Sequence, residues 1–116
     1  MRRIVFSIFA TAGLTAALVL GTGSAAQADT SCPSGYACFW TGYDYGGVKR
    51  TISADNGGKG WQYFDSYKFS MKNRYGNRAV YYLLSNQAVH CRDAGQEEPQ
   101  FNGAYAFLVT GPDGHC

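Results

Sequence analysis

The residues of this chain whose types and spacing allow specific chemistry are four cysteines and two histidines. They stand in the sequence as Cys32, Cys38, His90-Cys91 and His115-Cys116. Thiolates and imidazoles together are typical zinc ligands. Neighbouring residues of a strand point to opposite faces, however, so a His-Cys dipeptide is poorly placed to hold one ion. Disulfides are the better interpretation, and we expect no metal site and no cofactor.

The cysteine count and spacing indicate how the bridges form. An even number of cysteines in a small exported chain indicates disulfides, and four cysteines allow three pairings. Cys32 and Cys38 are close in sequence, with a proline and a glycine between them that can turn the chain. We therefore favour Cys32–Cys38 together with Cys91–Cys116. The second bridge ties down the last residues and is worth about 3 kcal/mol in the chain-entropy model.

The start of the chain has the pattern of a secretory signal peptide. Arg2 and Arg3 precede an apolar stretch, residues 4–20, and small residues follow up to an A-x-A pattern that ends at Ala28. A membrane anchor is the alternative, but the threonines and glycine of the stretch and the cleavage pattern argue against it. We expect cleavage after Ala28, which leaves residues 29–116 as one secreted domain that is not attached to a membrane.

The charge balance of that domain excludes one class of partner. The whole chain has ten Lys and Arg against eight Asp and Glu. Arg2 and Arg3 belong to the expected signal peptide, so the remaining charges cancel. The basic patch of a nucleic-acid-binding protein is missing, and we expect no nucleic-acid partner.

The elements that position the cysteines are predicted to be strands. Short runs of β-branched and aromatic residues alternate with turn-forming residues, and helical periodicity is absent after residue 28. The predicted strands are residues 37–41, 48–53, 69–74, 78–84, 88–92 and 104–110. Two long polar loops stand out between them, residues 53–60 and residues 92–103. Connections of this length are often functional.

A short aromatic and glycine-rich segment, CFWTGYDYGG, predicts a folded hairpin. Trp40, Tyr45 and Gly47 are spaced so that glycine permits a positive φ while the rings lie over the turn. This spacing resembles the hairpin signature of βγ-crystallin Greek keys, in which a later serine closes over the hairpin. Ser70 stands at the corresponding position. The resemblance implies an all-β fold, a single βγ-crystallin-like Greek-key β-sandwich that here carries two disulfides.

Further segments resemble one secreted branch of that superfamily. The start CPSGYAC and the later RYGNRAVYYL are similar to the Streptomyces-type metalloproteinase inhibitors, peptidase inhibitor family 36. The resemblance covers about residues 31–91. The crystallin calcium signature aligns with residues 65–70, but Ser66 and Phe69 replace two of its typical ligand residues. Calcium needs several oxygen ligands, so we interpret this site as degenerate.

The resemblance implies a secreted inhibitor of a protease, and of metalloproteases in particular. Such an inhibitor presents a rigid loop to the protease cleft, because a pre-organised loop avoids the ordering cost of binding. Cys91 lies beside the long loop of residues 92–103, so His90, Cys91 and Arg92 are the first candidates for the inhibitory element. Residues 53–60 are the second loop to consider. We expect a monomer whose partner is a secreted protease.

The sequence leaves two other classes of function open. The first is a non-inhibitory binding or antimicrobial module that uses exposed rings, with candidates Tyr43, Tyr67, Tyr75, Tyr81 and Tyr82. The second is an enzyme, which we do not expect because His90 and His115, the available bases, adjoin cysteines expected to be bridged. We interpret the remaining acidic pair, Glu97-Glu98, as solvated loop charges.

Overall fold

The computed structural model describes residues 29–116 and contains eight strands and two short 3₁₀ turns. The expected signal peptide, residues 1–28, lies outside the described residues. The 3₁₀ turns are Tyr43–Tyr45 and Ala54–Asn56. The strands are β1 (Tyr36–Trp40), β2 (Lys49–Ser53), β3 (Gln62–Lys68), β4 (Ser70–Asn73), β5 (Val80–Leu84), β6 (Val89–Arg92), β7 (Glu97–Glu98) and β8 (Ala104–Val109).

The strands form two sheets of four, and all pairings within them are antiparallel. The first sheet has the order β2-β1-β4-β7 and the second has the order β3-β8-β5-β6. Each half of the chain therefore places its third strand, β3 or β7, in the sheet of the other half. The all-β class is confirmed, and this topology is compatible with the expected crystallin-like Greek key.

The main core lies between the two sheets. Val80, Tyr82 and Leu84 alternate along β5 with half-buried residues, so their side chains share the inward face. Phe39 of β1 meets Tyr82 edge-on, with ring centroids 5.5 Å apart, and lies 6.3 Å from the ring of Phe107. Aromatic side chains of this kind supply much of the apolar surface that a small domain can bury in its core.

A second, smaller cluster covers the outer face of the first sheet. Cys32 and Cys38 form a disulfide there, with Cα atoms 5.8 Å apart, and pack with Trp40. The Trp40 indole Nε1 donates to the Asp29 carbonyl at 2.7 Å. The Lys72 ammonium donates to the carbonyl of Thr30 at 2.9 Å. The segment before β1 is thus held against this sheet.

Two strands were not expected from the sequence. β3 is an edge strand whose register shifts between Tyr63 and Lys68, so polar residues at the bulge interrupt its alternation. β7 is only two residues long, and Glu98 reaches its partner Met71 from within the predicted long loop. In the described part of the chain, no helix has the length and apolar character needed to cross a membrane.

Candidate functional site

The hairpin after β1 is folded over itself as its spacing predicted. The rings of Trp40 and Tyr45 pack edge-on with centroids 5.2 Å apart. Tyr45 and Gly47 have positive φ values of 63° and 80°. The Ser70 hydroxyl accepts from the Tyr45 N–H at 3.0 Å and donates to the Gly42 carbonyl at 2.7 Å. All four motif residues therefore help to hold the hairpin in its folded shape.

The degenerate calcium segment holds a positive charge of the protein itself. The Lys68 side chain is only 3% exposed, and its ammonium donates to the Ser66 hydroxyl at 3.0 Å and to the Asp65 carboxylate at 3.5 Å. The Ser70 hydroxyl belongs to the hairpin. Within residues 29–116, no group of three or more His, Cys, Asp or Glu side chains is placed to hold a metal ion.

The second disulfide, Cys91–Cys116, fixes the end of the chain beside β6. Its Cα atoms are 5.7 Å apart. The Cys116 N–H donates to the Asp93 carboxylate at 2.9 Å, and the Tyr81 hydroxyl donates to the His115 carbonyl at 3.1 Å. Both disulfides therefore have the pairing that the sequence favoured, and the last residues are tied to the second sheet.

Residues 93–96 form a turn between β6 and β7, which we call the bridged turn. The Gln96 N–H donates to the Asp93 carbonyl at 3.0 Å, and the Asp93 N–H donates to the Gln96 side-chain oxygen at 2.8 Å. Gly95 supplies the positive φ of 84° that the bend requires. Ala94, Gly95 and Gln96 are exposed. The turn is thus displayed to solvent while its own hydrogen bonds define its shape.

Asn73 at the end of β4 holds the bridged turn to the body of the domain. This residue is fully buried. Its main chain exchanges two hydrogen bonds with the turn, from the Gly95 N–H at 2.9 Å and to the Gln96 carbonyl at 2.8 Å. Its side-chain amide donates to the Arg92 carbonyl at 3.0 Å and to the Arg78 carbonyl at 2.8 Å. Asn73 therefore anchors both sides of the turn, through its side-chain amide at Arg92 and through its main chain at Gly95 and Gln96.

The interpretation of Glu97-Glu98 as solvated charges is wrong for Glu98. Its side chain is only 15% exposed, and its carboxylate lies 3.0 Å from His90 Nδ1 and 3.2 Å from the Arg92 guanidinium. It also accepts from the hydroxyl of Tyr82. Burial raises the pKa of Tyr82, and the hydrogen bond to Glu98 raises that pKa further. Because β7 crosses to the first sheet, Glu98 comes to lie against inward-facing residues of the second.

The three candidate residues of the inhibitory element are therefore placed differently. His90 and Arg92 pair with inward-facing positions of β5 and direct their side chains to Glu98. Cys91 lies on the outward face and carries the disulfide. The exposed chain is the bridged turn that follows them, beside an open depression of about 420 Å³ lined in part by Arg92 and Glu97.

The second candidate loop, residues 53–60, is held by the core. The Tyr75 hydroxyl donates to the carbonyls of Ile52 and Ser53 at 2.8 and 3.0 Å. The Gly58 N–H donates to the Val109 carbonyl at 2.9 Å. This loop also lacks a disulfide of its own, so it is a weaker candidate than the bridged turn.

The rings considered for a binding module divide into two groups. Tyr75 and Tyr82 are buried core residues and cannot present a ring to a ligand. Tyr43 and Tyr67 are exposed, and Tyr81 is half-buried. The sequence did not identify Glu98 or Asn73 as parts of the site, because both reach it through strand pairings that leave no local pattern.

Comparison with known proteins gives one family. The model of Peptidase inhibitor family I36 matches residues 25–91, more than half of the chain. The matched range ends at Cys91, two residues before the bridged turn begins at Asp93. No curated protein and no solved structure matches the chain.

Proposed function

Since the chain belongs to peptidase inhibitor family I36, we propose that it is a secreted inhibitor of metalloproteases whose inhibitory element is the bridged turn. The family implies a protease partner and supports a non-catalytic role. The observation that supports the proposed mechanism is that residues 94–96 of the bridged turn are exposed while the turn is held at both ends. His90, Cys91 and Arg92 form the frame of this element.

Pre-organisation is the physical reason for assigning inhibition to this turn. A flexible segment loses conformational entropy when it binds a cleft, whereas a turn already held in shape loses little. The Cys91–Cys116 bridge, the Asp93 contact to Cys116 and the anchor at Asn73 all limit its motion. If a protease cut within the turn, the same contacts would hold both new ends in place and favour resealing over release.

The chemistry of the tip is consistent with a metalloprotease target. A charged arginine at the tip would fit poorly into an apolar specificity pocket. Arg92 instead pairs with Glu98 at 3.2 Å and donates to the Cys91 carbonyl at 2.9 Å. The exposed side chain nearest the bend is the small, apolar Ala94.

Two disulfides support an extracellular location for this activity. Disulfides persist in oxidising compartments, and small secreted domains depend on them. A secreted inhibitor would meet secreted proteases there. The charge-balanced domain requires no nucleic acid or membrane for this role, and we propose that it acts as a monomer.

Inhibition assays test the proposal directly. Oxidised residues 29–116 are titrated against a thermolysin-like zinc protease and a subtilisin-like serine protease, and we expect inhibition of the zinc enzyme. Asp93→Ala should raise the inhibition constant at least about tenfold, because the turn loses its contact to Cys116. The matched control is Asn86→Ala, which removes a similar contact, to the Ala88 N–H at 3.0 Å, from another exposed loop.

Three results would contradict the proposal in different ways. Inhibition of only the serine protease would overturn the target class. Equal inhibition by Asp93→Ala, Asn86→Ala and the parent would show that the bridged turn is not the inhibitory element. Residues 53–60 would then be the next candidate loop. No inhibition of any protease would favour the non-inhibitory binding or antimicrobial module, which the exposed Tyr43 and Tyr67 would serve.

A further inference from the structure

The outer face of the second sheet is apolar across all four strands. By register, Tyr63 of β3, Ala106 of β8, Leu83 of β5 and Val89 of β6 form one row across it. Their neighbours along the strands point inward to the core, so these four side chains point outward. Tyr63 is 71% exposed and Val89 is 52% exposed. We call this surface the outer apolar face.

A second row extends the outer apolar face towards the bridge. Leu108 of β8 pairs with Tyr81 of β5, which pairs with Cys91 of β6. Leu108 and Tyr81 are half-buried, and none of the three side chains carries a charge. Surfaces of contiguous, uncharged apolar groups on small monomers are commonly interaction sites.

The two sheets differ in how their outer faces are covered. The segment before β1 lies on the first sheet, where the Cys32–Cys38 disulfide and the contacts of Asp29 and Thr30 hold it. At the outer apolar face, the carbonyl of His115 accepts from the Tyr81 hydroxyl, and the Tyr105 ring stacks on Tyr63 with centroids 6.4 Å apart. In its first row, Tyr63 and Val89 at the two edges are exposed, whereas Ala106 between them is only 1% exposed. The exposed apolar groups at both edges mark this face as a candidate contact surface.

The outer apolar face is continuous with the proposed inhibitory element. Cys91 belongs to its second row and forms the disulfide that fixes the bridged turn. Tyr81 touches His115 next to that disulfide. A protease whose cleft received the turn would therefore have its surface beside the cleft directed at this face.

The area that protease–inhibitor complexes bury also supports a protease as the partner of this face. Protease–inhibitor complexes typically bury about 800 Å² on each partner, from roughly 20–30 residues. A single tight turn cannot supply that area. Most of the binding energy also comes from a few buried apolar or aromatic anchors, and the bridged turn offers only Ala94.

We propose that the outer apolar face is a second contact with the same protease, and that it binds an uncharged, apolar surface beside the cleft. This proposal rests on the proposed inhibitory function. The bridged turn occupies the protease cleft, and the outer apolar face supplies apolar area that stabilises the complex. Loss of the face should mainly speed dissociation, as most interface substitutions do.

Two exposed valines provide a matched test. Val89→Lys places a charge within the outer apolar face, whereas Val48→Lys places one beside the hairpin, where the parent side chain is 71% exposed. With a protease that the parent inhibits, Val89→Lys should raise the inhibition constant at least about tenfold through faster dissociation. Val48→Lys should leave it within about twofold. Both variants should keep the melting temperature of the parent, as surface substitutions normally do.

The outcomes separate this proposal from the inhibitory function itself. If the parent inhibits and Val89→Lys behaves as Val48→Lys does, the second contact is refuted while the inhibitory turn stands. If Asp93→Ala and Val89→Lys both weaken inhibition, both proposals are supported. If the parent sediments as a dimer that Val89→Lys dissociates, the face is an interface between two copies, and the protease contact is refuted. If the parent inhibits nothing, both proposals fail.

Discussion

Replacing Glu98 with alanine should destabilise the domain severely, although the residue lies in a segment that reads as a loop. The carboxylate accepts from the Tyr82 hydroxyl and lies within 3.0 Å of His90 and 3.2 Å of Arg92. These contacts join β7 of one sheet to β5 and β6 of the other. Their removal therefore affects the framework that holds the bridged turn.

The magnitude follows from how far each partner is exposed. Tyr82 is fully buried, and a buried hydroxyl left without an acceptor costs about 1–3 kcal/mol. The His90 and Arg92 side chains are 35% and 33% exposed, so water can replace their contacts with Glu98. Loss of each ion pair therefore costs about 0–1 kcal/mol. Together these losses should lower the free energy of unfolding of Glu98→Ala by about 1–5 kcal/mol.

Glu97 provides the control for this prediction. It is exposed, and its carboxylate accepts from the partly exposed Tyr45 hydroxyl at 2.8 Å. Glu97→Ala should change the free energy of unfolding by no more than about 1 kcal/mol. Urea unfolding of both oxidised variants measures the difference, with unchanged m values as the sign that unfolding exposes the same surface. Equal stability of the two variants would show that Glu98 is solvated and that our argument for the framework is wrong.

Four further predictions concern the hairpin, the degenerate calcium segment and stability at alkaline pH. Gly47→Val should prevent stable folding, measured by thermal melting, because its Cβ would clash with the Thr41 hydroxyl at a φ of 80°. Trp40→Ala should cost about 3–5 kcal/mol in urea unfolding, since the ring is fully buried. Millimolar calcium should raise the melting temperature no more than magnesium does, because the Lys68 ammonium already occupies the acceptors of the degenerate segment; a rise of many degrees with calcium alone would refute this. Burial raises the pKa of Tyr75 to about 12, so its contribution to the free energy of unfolding is complete below pH 10 and is lost as pH rises from about 10 to 12, by up to about 1.4 kcal/mol per pH unit. Tyr75→Phe should make the decline of the urea-unfolding free energy over this range less steep by up to that amount, while the raised pKa of Tyr82 keeps part of the decline.

The sequence alone was sufficient for the features whose causes are local. Short runs of β-branched and aromatic residues between turn formers predicted six of the eight strands within a few residues, because such residues favour extended backbone and turn formers mark where a strand ends. The short spacing of Cys32 and Cys38 favoured their bridge and, with it, Cys91–Cys116, and both pairings are present in the structure. The glycine and aromatic spacing around Trp40 predicted the folded hairpin, since both the positive φ and the ring contact arise within one turn.

Tertiary structure alone decided which parts of the candidate site are exposed. The sequence could not show that His90 and Arg92 turn inward, because the direction of a side chain on a strand depends on its register with β5. It could not show that Glu98 is buried, because that burial follows from β7 pairing with β4 at Met71, far away in the chain. The anchor at Asn73 and the outer apolar face have the same origin. Each is a contact between segments distant in sequence, and such contacts are determined by the packing of the two sheets.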